Sequence, residues 1–86
     1  MVNLIVLINQ QILISTIEEL PSELGEPDCK LNNPYLVKTV DDRQILEPFL
    51  MGVTKESSFM ISSDKILTLT EPTPTLLEKY QDLIKE

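Results

Sequence analysis

Few residues of this chain are of a type that does chemistry. Among its 86 residues there is no histidine and a single cysteine, Cys29. A cysteine nucleophile needs a partner base, and without histidine none is at hand, so Cys29 reads as a small buried apolar residue. One cysteine also excludes an internal disulfide and agrees with a reducing compartment. Carboxylates are more plentiful: Glu18, Glu19, Glu23, Glu26 and Asp28 put five acids and no base into eleven residues. Calcium favours such oxygen ligands, but EF-hand spacing is absent and Pro21 and Pro27 stiffen the run, which therefore reads as a solvated loop with no metal. There is no glycine-rich phosphate loop and no paired catalytic carboxylate motif, so neither an enzyme nor a cofactor is expected.

Two polar stretches remain. Ser62-Ser63-Asp64-Lys65 lies between the apolar runs Phe59–Ile61 and Ile66–Leu69, and its hydroxyls and aspartate suit a tight turn that bonds back to local backbone. The stretch from Ser58 to Pro72 thus reads as a hairpin. Asn32-Asn33-Pro34-Tyr35 interrupts another strand-like run, and Pro34 marks an edge, a bulge or a strand start because it cannot donate to a ladder. Tyr35 could stack on a base. Around these stretches the charge is unhelpful to nucleic acid: 7 basic against 14 acidic residues leave a formal charge of −7, with Arg43 and six scattered lysines. A broad phosphate-binding face needs a basic footprint, so only a small local site is left open.

The elements that must position these residues follow from apolar spacing. Residues 2–8 are apolar on both strand faces, which suits a strand covered on both sides. They are too few for a membrane span, which takes roughly 20 apolar residues, and lack the basic flank of a signal peptide. No membrane is expected, and a cytoplasmic location is. A short Asn9-Gln10 connection makes Ile12–Ile17 an antiparallel second strand. Cys29–Val40 reads as a third; Ile45–Val53, carrying Pro48 and Gly52, fits either strand or extended loop. Thr73 is a candidate N-cap with Pro74 at the first helical position. Leu76, Leu77, Tyr80, Leu83 and Ile84 then form one helical stripe, so a helix over about 74–85 is expected to dock on the doubly apolar first strand. The whole is one domain, 1–86, with strands within 2–70. A domain this small is marginal alone, and self-association or a well-packed single core must make up the deficit.

Five short strands and one helix suggest a small bent-sheet barrel, and here the residues resemble the Sm-like family. Its second motif, an apolar strand, a short Arg-Gly-type turn and another apolar strand, is similar to Phe59-Met60-Ile61, Ser62-Ser63-Asp64-Lys65 and Ile66-Leu67-Thr68-Leu69. Its three-strand first motif is similar to Leu4–Ile8, Ile12–Ile17 and Leu31–Val37, with Asn32 or Asn33 near the family's loop asparagine. Within the family, the chain most resembles short Sm-like proteins of tailed phages of marine cyanobacteria, through Asn33-Pro34-Tyr35 and the run Ile66–Pro74. The resemblance implies a mainly β fold: a five-stranded, strongly bent antiparallel barrel with a C-terminal α-helix. It implies a homo-oligomeric ring, pentamer to heptamer, with Phe59, Met60, Ile61, Leu67 and Leu69 at the subunit interface. It also implies short single-stranded RNA as a ligand of Asn32, Asn33, Tyr35, Ser62, Ser63, Asp64 and Lys65, in the cytoplasm of a bacterial host cell. Ser62 and Ser63 stand at the Arg-Gly positions, however, which removes a planar cation that could stack on a base or bond a phosphate. The alternative is therefore a structural or interaction ring that has lost RNA binding and meets a basic protein through its acidic rim.

Overall fold

In the computed structural model, which describes residues 2–50 and 52–85, six strands and one helix follow one another. The strands are β1 (Val2–Leu7), β2 (Ile12–Glu19), β3 (Cys29–Val40), β4 (Arg43–Pro48), β5 (Ser58–Ile61) and β6 (Ile66–Thr70), and the helix is α1 (Pro74–Ile84). The sheet is antiparallel, in the order β4-β3-β2-β1-β6, with β5 also paired to β3. There is thus one strand more than the five expected: the ambiguous segment forms β4, because Asp41 and Asp42 both take positive φ and close a two-residue turn that returns the chain onto β3. Met51, in the same apolar run, lies outside the described residues.

β3 is long enough to serve two strands on one edge. Its first part pairs with β5, Cys29 with Ile61 and Asn32 with Ser58. Its second part pairs with β4, from Tyr35 with Pro48 to Val40 with Arg43. Between them Asn33 has a φ of 52° and Pro34 offers no N–H, and the register with β2 slips there between Ile14 and Thr16. Pro34 therefore marks a bulge, the second of the three roles its sequence allowed.

The expected hairpin of Phe59–Ile61 with Ile66–Leu69 does not form. β5 pairs with β3, and β6 pairs with β1. Ser63–Lys65 makes a 3-10 turn, closed by Lys65 N–H donating to the Ser62 carbonyl at 3.0 Å, and this turn carries the chain from one side of the sheet to the other instead of reversing it. Laid flat, the four strand spacings from β5 to β6 would separate them by about 19 Å. The linking residues span about 13 Å. The sheet must therefore curl, and it does so without closing: among the described residues its hydrogen-bonded path ends at β6 on one side and at β4 and β5 on the other.

Curling gives the sheet an inner and an outer face, and both are apolar. Inside lie Ile5, Leu7, Leu13 and Leu31, with Phe49, Ile61 and Ile66 against them. Outside, α1 lays Leu76 and Tyr80 on Ile14, flanked by Val2, Leu4, Tyr35 and Val37. This accounts for the doubly apolar first strand, and α1 docks there as its stripe predicts. Thr73 caps the helix by accepting from the Leu76 N–H at 3.3 Å, and Pro74 takes the first turn.

Candidate functional site

The residues expected to form one RNA site fall into two groups. Asn32 lies beside the β3 bulge, where its Oδ1 accepts from the Ser58 hydroxyl at 2.9 Å. Asn33 is exposed and donates its backbone N–H to the Ser57 carbonyl at 2.7 Å. Tyr35 is half-buried and packs edge-on against Tyr80, with ring centroids 5.8 Å apart. Ser62, Ser63, Asp64 and Lys65 lie beyond the opposite end of the β3–β5 ladder, past the Cys29–Ile61 pair. Three residue steps of a strand, about 10 Å, separate the two ends. The structure does not bring the asparagines and Tyr35 to the turn.

What meets the turn is the acidic loop between β2 and β3. Asp28 accepts two bonds from Ser63, from its backbone N–H at 2.7 Å and from its hydroxyl at 2.6 Å. Those bonds hold the Asp28 carboxyl below the usual carboxylate range, the Ser63 hydroxyl contributing most and its N–H next. The loop and the turn wall an open cleft of about 440 Å³, whose acids are Glu23, Glu26, Asp28 and Asp64. Among the described residues, no group of three or more acids and cysteines is arranged to hold a metal ion.

Sequence reading placed Asp28 in a solvated run and missed this contact, which spans 35 positions. The available hint was physical: the first N–H groups of a helical turn need acceptors from outside it. Ser62, at the cap position, makes no side-chain cap bond, and the Ser63 N–H that follows it is met by Asp28. Cys29, next to Asp28, is buried as expected. Burial, then the Asp28 charge, pushes its thiol above the usual range, which keeps it protonated and poorly nucleophilic.

The five interface candidates also divide. Phe59 and Ile61 share the inner face with Leu31 and Cys29; Phe59 stacks edge-on with Phe49 at 5.9 Å, and both are half-buried. Met60, Leu67 and Leu69 are open to solvent at 49%, 66% and 50%. β5 pairs only with β3 and β6 only with β1, so each keeps one unpaired edge among the described residues. Beside β6 runs a groove of about 600 Å³ with Ile17, Cys29, Ile66, Leu67 and Leu69 in its walls.

No helix among the described residues is long and apolar enough to cross a membrane. None of the curated proteins matches the chain. A family described as a family of unknown function, DUF6561, matches it over residues 1–85, nearly its full length, and the chain belongs to that family.

Proposed function

We propose that this protein is an Sm-like, ring-forming assembly unit, five to seven copies joining the free edge of β5 to the free edge of the neighbour's β6, with each curled sheet serving as a small barrel. One observation carries the reading: two unpaired strand edges, bearing Met60 on one and Leu67 and Leu69 on the other, belong to the same curled sheet. An exposed apolar edge is a template for another strand, and head-to-tail pairing of β5 with β6 that closes into a ring covers both of these edges, while β4 keeps its outer edge free among the described residues. The likeness to the family is supported by the meander β1–β3, here extended by β4, followed by two strands that are joined by a short turn and placed on opposite sides of the sheet. The ring's role in this reading is interaction with a basic protein. The net charge of −7 and the four acids about the cleft favour a cationic partner over a polyphosphate.

A second reading, binding of short single-stranded RNA, rests on the family likeness and on Lys65, exposed on the turn but outside the acidic cleft. Light scattering at micromolar protein tests the assembly: five to seven times the 9.8 kDa chain mass is expected, and a monomer overturns it. Fluorescence anisotropy with labelled oligo-U and oligo-A separates the two roles. Binding at low salt that weakens at moderate salt supports RNA; no binding at low salt removes RNA and leaves the protein partner.

A further inference from the structure

We infer that Asp28 is a positioning residue for assembly: by clasping Ser63 it fixes the angle at which β5 and β6 present their free edges, and so the closure of the ring. The inference rests on the ring reading above. The two edges lie on opposite sides of the sheet, and the chain between them is only Ser62–Lys65. That segment is held at both ends. At its far end the Ile8 N–H donates to the Lys65 carbonyl at 3.0 Å, a backbone bond that survives side-chain changes. At its near end the hold is the Asp28 carboxylate on Ser63, through side-chain atoms that a substitution can remove.

Asp28 is itself rigidly placed. The Leu20 N–H donates to its carbonyl at 2.8 Å, closing the acidic loop at its base, and Cys29 directly after it pairs with Ile61. The clasp therefore ties the start of β3 to the turn that leads into β6. Because it is ionised in the clasped form, Asp28 holds Ser63 by charge-assisted bonds at neutral pH. Ring closure is sensitive to small changes here. One copy more or fewer in a ring of this size alters the angle between neighbours by about 10°.

The test compares the wild type with Asp28→Ala, Asp28→Asn, Ser63→Ala and, as a control on an exposed acid of α1, Glu78→Ala. Native mass spectrometry and dilution in the ultracentrifuge read the assembly; hydrogen exchange of the 62–66 segment reads the clasp. The wild type and Glu78→Ala are expected to give one ring mass. Asp28→Ala and Ser63→Ala are expected to give several masses, or rings that dissociate at about tenfold higher concentration, the shift expected from losing one hydrogen bond to a charged group. Exchange at Ser63 accelerates about tenfold in Asp28→Ala on the same grounds. Asp28→Asn, which keeps the side chain's size and one acceptor oxygen, falls between and guards against misfolding as the cause. If Asp28→Ala and Ser63→Ala match the wild-type ring in mass and dissociation, this inference fails while the ring stands, whatever the exchange shows. A monomeric wild type overturns the ring reading and this inference with it.

Discussion

Tyr80 ties the outer core to the bulge of β3. Its side chain is fully buried, yet its hydroxyl reaches the carbonyls of Asn33 at 2.9 Å and Asn32 at 3.3 Å, where β3 bulges. A phenol has one proton, and the shorter contact gives it to Asn33. The Ser15 hydroxyl, also with one proton, lies 2.8 Å from the Thr16 carbonyl and 2.9 Å from that of Asn32. Tyr80→Phe takes the hydroxyl donor from the Asn33 carbonyl and is expected to cost about 1–3 kcal/mol, read as a lower urea midpoint with an unchanged slope. Burial raises the Tyr80 pKa above that of an exposed tyrosine. A folded-state value above the unfolded one means the contribution is whole below about pH 10 and is lost as pH rises through the folded value. Unfolding midpoints of the wild type should fall above that pH, and those of Tyr80→Phe should fall less steeply. Equal slopes would discount the tyrosine. Its helical spacing marked Tyr80 as a core residue, but the two carbonyls it serves lie on a strand more than a domain's half-length away in sequence, and no periodicity points to them.

At the scale of elements, much of the fold was legible. Short apolar runs between polar breaks located β1, β2, β3, β5 and β6, and Thr73-Pro74 located the start of α1, because such runs and cap chemistry are local properties. Pairing was not legible. Ser62–Lys65 has the composition of a reversal, and composition does not distinguish a turn that reverses the chain from one that carries it across a curled sheet. β4 was blurred for a related reason: Pro48 and Gly52 argue against a strand, but Pro48 falls at the last residue of an edge strand, where a missing donor costs little. The cap offers a direct test at this scale. Thr73→Ala removes the acceptor for the Leu76 N–H, and a loss of about 1 kcal/mol is expected in chemical denaturation. Leu76 packs beneath the first turn, so loosening there also exposes the outer core, and a loss well under that figure would mean the helix is held by packing alone.

At the scale of the whole molecule, the candidate site was the least legible feature. Asn32, Tyr35 and Ser63 were named from short motifs, but which of them converge depends on how the sheet rolls, and the partner that reaches Ser63 is Asp28 from the opposite loop. The proposed assembly makes a prediction that a monomer's stability does not. Leu67→Lys and Leu69→Lys replace side chains that are exposed in the single chain, so the β-sheet signal in circular dichroism should persist, while the unfolding midpoint should lose the dependence on protein concentration that a ring confers. A charge on an edge strand opposes pairing with another chain, so the light-scattering mass should drop to that of one chain. A ring that persists in both variants rules out β6 as its joint.

The place of β1 in the sheet also has a kinetic consequence. β2 reaches it through a short turn, but on its other edge Leu4 pairs with Thr70, and its outer face waits for α1. Local search finds the first partner quickly, whereas the second and third require most of the chain to be gathered first, a loop whose closure entropy precedes any return. Sheets built on such distant pairings fold in about milliseconds to seconds, slowly for so short a chain. During that interval one edge and one face of the most apolar strand stand open, and the protein is at its most prone to aggregate.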